Sequence, residues 1–193
     1  MKSALQFLKM FVVSPSQTGA IAASSRGLSE LITDAANLRE GVSAVVEFGS
    51  GTGVFTARIM EKLPPGAIFF ALELNPHFVA ETRNKCPGVT VHEESAVKVK
   101  ECLSRHGLEY CDRIVCGLPW AAFQKDFQES LLNATYDALR PGGRFVTFAY
   151  LQGLMLPTGL RFRKMLKQRF RQVTTTRTVW LNVPPAFVYC ADK

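Results

Sequence analysis

No stretch of this 193-residue chain approaches the ~18–20 consecutive apolar residues of a bilayer-spanning helix. Lys2 precedes an apolar stretch and Ala20-Ile21-Ala22 follows it, but Gln6 and Lys9 interrupt the run, unlike a signal-peptide core. The expected location is therefore the cytoplasm. The five cysteines are Cys86, Cys102, Cys111, Cys116 and Cys190, and no two of them form a C-x-x-C pair. Zinc and dithiol redox chemistry thus lack ligands, and no metal site is expected. An odd count spread through apolar segments fits reduced thiols, with Cys116 read as a small core residue. Histidine is scarce. His77, His92 and His106 look peripheral, so no dedicated general base is named. Internal repeats, low-complexity tracts and linkers are also missing.

What is present is a soluble composition, 47% hydrophobic and 20% charged. The length suits one domain over residues 1–193, with residues 1–40 as an N-terminal helical cap or membrane-facing segment. The net charge of +7 suggests an anionic partner, either nucleic acid or a membrane surface.

The chain is organised around residues 45–53, Val-Val-Glu-Phe-Gly-Ser-Gly-Thr-Gly. Residues 42–48 read as a buried strand and 54–63 as a helix. Gly49, Gly51 and Gly53 make the turn between them, where a ligand can approach backbone that carries no Cβ. The spacing is G-x-G-x-G rather than the G-x-G-x-x-G of diphosphate binders. Glu47 lies inside the end of the strand, where a carboxylate would repel a diphosphate and suit a cationic ligand. S-adenosylmethionine (SAM) carries an ammonium and a sulfonium. Glu73 ends a second apolar strand, 67–72, and lies 20 residues beyond Gly53. An acid there can accept hydrogen bonds from both ribose hydroxyls. The two features together resemble class I SAM-dependent methyltransferases.

Strands and helices then alternate. Helices are expected at 26–37 (capped by Ser24 or Ser25), 76–85, 96–105, 123–139 and 158–170. Further strands are expected at 89–92, 110–116, 144–150, 173–181 and 186–190. This pattern predicts an α/β fold of Rossmann type: a mainly parallel seven-stranded sheet with an antiparallel closing hairpin and N-terminal helices. Ligands of such sheets bind beyond the carboxyl ends of the strands. Four segments converge there: Glu47 to Gly53 with Ser50, Glu73-Leu74, Glu94-Ser95-Ala96, and Gly117-Leu118-Pro119-Trp120. Ser95 holds the position where this enzyme class usually has an acid for the adenine amino group.

On a helical wheel, residues 2–13 segregate cleanly. Phe7, Phe11, Ala4, Leu8, Val12 and Leu5 fill one arc, with Lys2 and Lys9 beside it. Such a helix can lie in a membrane interface or pack on the protein's own core. Helix 158–170 carries the basic residues Arg161, Arg163, Lys164, Lys167 and Arg169, followed by Arg171. It reads as a face for anionic lipid or as a solvated surface.

Gly117-Leu118-Pro119-Trp120 resembles the Asn-Leu-Pro-Tyr sequence of adenine N6-dimethyltransferases, with Gly117 in place of Asn. That exchange removes a side-chain acceptor for a base, while the aromatic face of Trp120 can still hold a cationic amine. Across nearly its whole length the chain resembles the bacterial phospholipid N-methyltransferases. The likeness rests on Phe7-Leu8-Lys9, on residues 19–26 (Gly-Ala-Ile-Ala-Ala-Ser-Ser-Arg), on the glycine turn and on Gly117 to Trp120. It implies methylation of phosphatidylethanolamine towards phosphatidylcholine, with SAM as donor, by a protein bound peripherally at the inner face of the membrane. It implies a phospholipid substrate and an anionic membrane partner, reached through helix 2–13 and helix 158–170. Trp120, Tyr150 and Arg26 are the substrate-side candidates, with Tyr150 at the headgroup and Arg26 at the lipid phosphate. Two other readings use the same fold: methylation of RNA or of a small amine, and a SAM-binding membrane protein without turnover.

Overall fold

The structure, a computed structural model, describes residues 25–193. The expected helix 2–13 and the stretch leading to Ser24 lie outside the described residues.

Ser25 caps the first helix, α1 (Arg26–Ala36), its hydroxyl accepting the Leu28 N–H at 3.2 Å and so partnering one of the helix's orphan donors. Leu28, Ile32 and Ala36 recur at helical spacing and are fully buried. The chain then alternates through β1 (Ala44–Phe48), α2 (Val54–Lys62), β2 (Ile68–Leu72), α3 (Pro76–Lys85), β3 (Thr90–His92), α4 (Val99–Arg105) and β4 (Cys111–Cys116). It continues through α5 (Lys125–Ala138), β5 (Leu139–Tyr150), α6 (Pro157–Arg169), β6 (Gln172–Thr175) and β7 (Ala186–Asp192). Short 3₁₀ turns at Ala96–Lys98, Trp120–Ala122 and Leu151–Met155 precede α4, α5 and α6.

The strand order is β3-β2-β1-β4-β5-β7-β6. Every pairing from β3 to β5 is parallel, and β7 runs antiparallel to both β5 and β6. The expected seven-stranded sheet with one reversed strand is therefore present. Alternate residues feed two cores, as the two-residue period of a strand requires. Val46, Phe48, Phe70, Leu72, Ile114 and Phe145 pack under α4, α5 and α6. Val45, Val115, Val146 and Val188 pack under α1 and α2. Ala71 and Val91 pack under α3.

Several boundaries differ from the sequence expectation; β5 starts at Leu139 rather than at the expected 144. The strand expected over 173–181 stops at Thr175, because the Thr176 hydroxyl accepts the Val188 N–H at 3.0 Å. A side chain thus takes a ladder position of the backbone, and residues 176–185 leave the sheet with one return bridge, Val179 to Ala186. The helix expected to reach 139 ends at Ala138, since Leu139 already pairs with Cys111 in the sheet.

One carboxylate stitches the amino end of the sheet. Asp112 Oδ2 accepts from the Ser43 N–H, the Ser43 hydroxyl and the Ala44 N–H at 2.8–2.9 Å, and Oδ1 accepts from Arg140. Burial pushes this carboxyl up, but the donors outweigh it and hold it below the ordinary aspartate value.

Candidate active site

The four expected segments do meet at the carboxyl ends of β1, β2, β3 and β4. Gly49, Glu73, Leu74, Glu94, Ser95, Ala96 and Leu118 line one small cavity of about 20 Å³, together with Leu72 and Phe127. Phe127 has no motif around it, and only the fold brings it here. The turn that forms the cradle has Gly49, Gly51 and Gly53 at φ of 72°, 53° and 73°, a region costly for other L-residues. A Cβ on Gly51 would stand in open space, so that glycine keeps the approach to the turn clear.

Gly49 and Gly117 have a different task. A Cβ on Gly117 would lie 2.7 Å from the Gly49 carbonyl oxygen, and one on Gly49 would lie 2.6 Å from Leu118 Cδ2. The Gly117 N–H donates to Phe48 O and the Gly49 N–H to Leu72 O, each at 2.8 Å. The ends of β1 and β4 therefore approach as closely as two bare backbones allow. The missing Asn of the Gly117 loop has a steric reason here: any side chain at that position displaces the turn.

Glu73 is buried at the cavity wall. Its two oxygens accept the Gly51 N–H at 3.1 Å and the Asn75 N–H at 2.9 Å, which fixes the glycine turn to the start of α3. Burial raises its pKa, and the N–H groups of Asn75, Gly51 and Leu74 oppose that rise. Ser50 is turned inward. The Thr82 hydroxyl stands 3.0 Å from Ser50 Oγ and 2.9 Å from Gly51 O, so Ser50 braces the turn against α3.

Glu47 corrects one element of the sequence reading, which took it for a standing carboxylate. It is 0% exposed and lies on the sheet face under α2. Its Oε2 accepts the Thr56 hydroxyl at 2.7 Å, and Oε1 has no partner among the described residues. Burial, with a smaller push from Glu73 and against the Thr56 bond, raises its pKa to about 8. In this state the group is mostly protonated at neutral pH. Thr56 escaped the sequence reading. Its signal was a hydroxyl in the first turn after the glycines, on the helix face that must be buried.

On the expected substrate side lies a second cavity of about 230 Å³, at the ends of β4 and β5. Trp120, Tyr150, Phe148, Phe162, Tyr189 and Leu154 are among its walls, and among the described residues no charged one lines it. Trp120 is 3% exposed, stacks on Phe162 at 4.2 Å, and its indole N–H has no hydrogen-bond partner among the described residues. It is both a core anchor and a wall. Tyr150 lies edge-on to Phe148 at 5.3 Å, and burial raises its phenol pKa. The Gly117–Trp120 loop separates the cavities: Leu118 lines the first, Pro119 and Trp120 the second. Arg26 lies exposed in the first turn of α1 and lines neither cavity. His92 and His106 line neither; they face one another at 2.9 Å against the ring of Phe70. Cys116 is buried beside the site, with its thiol pushed up to about 11 by that burial, as suits an inert core residue.

Sheet order, glycine turn and the acid ending β2 together define a class I methyltransferase fold, the fold of SAM-dependent methyltransferases. Residues 46–145 match the methyltransferase-domain family, and the chain belongs to it. The chain is 28% identical to an ornithine lipid N-methyltransferase of Singulisphaera acidiphila, over 98% of this chain and 95% of that one. Among solved structures it resembles an O-methyltransferase of Streptomyces achromogenes involved in tomaymycin synthesis, in complex with SAM. That match has a TM-score of 0.70 at 20% identity and covers 100% of this chain and 88% of that one. A Bacillus cereus O-methyltransferase in complex with SAH matches with a TM-score of 0.69 at 14% identity, over 98% and 91% of the two chains.

Proposed function

We propose that this protein is a SAM-dependent N-methyltransferase acting on the amine headgroup of a membrane lipid. Phosphatidylethanolamine, converted towards phosphatidylcholine, is the substrate the sequence resemblance favours; an ornithine lipid is the one named for the full-length relative. The residues of the first cavity fit the cofactor. The open face at Gly51 admits a ligand to the backbone, Glu73 offers acceptor lone pairs at the wall, and Ser95 and Ala96 border the place for the base. The unpartnered Oε1 of Glu47 supplies latent negative charge behind the turn. Bound there, SAM supplies a methyl group on a positively charged sulfur.

The observation that carries the lipid-amine reading is the second cavity, apolar, aromatic and without a charged wall among the described residues. A lipid ammonium that enters it loses water, and desolvation lowers its pKa, so its lone pair becomes available without a dedicated base. The faces of Trp120 and Tyr150 hold the amine while it is cationic. The rigid loop Gly117–Trp120 sets the distance between the cavities, and orientation of this kind is the main part of catalysis by such a site. The test is incubation with methyl-labelled SAM and vesicles of phosphatidylethanolamine, vesicles of ornithine lipid, or RNA. Label is expected in lipid. Label in RNA alone, or in no acceptor despite SAM binding, would overturn the reading.

A further inference from the structure

Exposed large apolar side chains are concentrated in one place. Of the eight among the described residues, six lie on two neighbouring segments: Met155, Leu156 and Leu160, and Trp180, Leu181 and Val183. Four of them are exposed by 71–93%. Single exposed apolar residues are ordinary, but a cluster of this size marks an interaction surface.

The segments are held together and held out. Tyr150 pairs with Ala186, and the Leu151 N–H donates to Pro185 O at 3.0 Å. The base of the 176–185 loop is fastened by Asn182, which is buried. Its side chain accepts the Ser25 N–H at 3.1 Å and donates to Pro184 O at 2.7 Å. Its neighbours Leu181 and Val183 project from that fixed point. Both segments stand at the carboxyl end of the sheet, where β5 ends and β7 begins. Leu156 belongs to the exposed cluster and also lines the 230 Å³ cavity, so cluster and cavity mouth are continuous.

Charge indicates what meets this surface. Between Asp137 and Asp192 the sequence contains no acidic residue and nine Lys and Arg. Of these, Arg163, Lys164, Lys167, Arg171 and Arg177 are exposed, and none of the five forms an ion pair among the described residues. Nucleic acid would answer the charge but leave Leu181, Val183 and Met155 in water. A bilayer with anionic headgroups answers both, with aliphatic side chains below the headgroups, indole at their level and cations against them.

We propose that the 176–185 loop and the 151–160 turn form a wedge that enters the outer acyl region of an anionic bilayer, setting the mouth of the aromatic cavity at headgroup level. The proposal rests on the lipid-amine reading for its purpose but not for its physics. A lipid then reaches the cavity by moving sideways and upward, with its chains still in the membrane.

The chain has two tryptophans, Trp120 and Trp180, so the full-length protein with Trp120→Phe reports on Trp180 alone. Its emission is recorded with vesicles of equal phosphatidylcholine and phosphatidylglycerol, and with phosphatidylcholine alone. The expected result is a blue shift and quenching by acyl-brominated lipid, on the anionic vesicles chiefly. Trp180→Ser/Leu181→Ser/Val183→Ser in the otherwise native chain should lower affinity for anionic vesicles at least tenfold at an unchanged melting temperature. Sedimentation with vesicles while Trp180 emission stays unchanged would overturn the proposal and move membrane contact elsewhere in the chain. Trp180 already shielded from acrylamide in buffer would also overturn it, indicating cover by the chain itself or, if concentration-dependent, by a second copy. Insertion of Trp180 together with no methylation of any lipid by the native chain would refute the lipid-amine function and leave the wedge standing.

Discussion

Replacing Glu47 by Gln separates the stability of this fold from its function. The wild-type carboxyl is buried at the end of β1, and its pKa is about 8 against an ordinary 4.5. Because the folded-state value is raised, the protonated group's contribution to stability is full below the unfolded value and is lost as pH rises through the folded one. At pH 7 the unfolded chain, which ionises freely, gains about 3 kcal/mol over the folded one. Gln keeps the Thr56 contact, exchanges one unpartnered polar atom for another, and removes that pH-dependent loss. The variant should melt roughly 6–12 °C above wild type at pH 7, by the ~2–4 °C per kcal/mol of a chain this size. The two should converge near pH 4.5. SAM affinity should move the other way, falling 10- to 100-fold with the loss of a charged partner worth ~1.5–3 kcal/mol. Wild-type affinity should also rise up to about tenfold from pH 7 to pH 8.5, with a proton released on binding, since Glu47 must ionise to meet a cation. Thermal melts at pH 5, 7 and 8.5, and titration calorimetry in buffers of different ionisation enthalpy, measure all of this. If the melting difference does not grow with pH, or SAM binding is indifferent to pH in both proteins, Glu47 is not a switchable charge.

Gly117→Asn restores the residue that base methylases carry, but its Cβ would meet Gly49 O; loss of SAM binding and a lowered melting temperature are expected, and a fully active variant would show that the turn can yield. Trp120→Ala removes a buried aromatic and should destabilise by ~3–5 kcal/mol, whereas Tyr150→Phe should leave the melting temperature within about a degree and change kcat/KM for the lipid amine, which steady-state kinetics on vesicles would reveal. His92 is held below the ordinary histidine value by its burial first and by His106 second; its contribution is present above pH 6.5 and lost as pH falls, opposite in sign to that of Glu47, so the melting temperature of His106→Gln should rise relative to wild type as pH falls from 7 to 5 in a melt series.

The elements that the sequence announces are those that local chemistry decides. The glycine turn needs positive φ at Gly49, Gly51 and Gly53, and Ser25 and Asn75 cap their helices through their own side chains. These are short-range facts, and the expected helices at 26–37 and 76–85 start where their caps place them. The strand over 173–181 misleads because its Thr and Val content has β character whichever way the chain turns. What ends it is Thr176 meeting Val188, a contact between residues 12 apart in sequence. The charge state of Glu47 is hidden for the same reason, since it is set by burial under α2, by the Thr56 hydroxyl and by Glu73 at the end of the neighbouring strand. Trp120 could be placed on the substrate loop from its motif, but its stacking on Phe162 depends on how α6 returns across the sheet.

The seam made by Asp112 lies at the far end of the strands from both cavities. Much of the integrity is therefore kept on the rim opposite the activity. Exchange of the exposed loop tips on the working rim, residues 154–156 and 180–181, leaves the seam and the ladders it holds intact, whereas Gly117, Trp120, Thr176 and Asn182 must stay because they carry packing there. As an engineering chassis the protein can have its acceptor preference rewritten by grafting those tips, with the seam holding its share of stability where no substrate arrives.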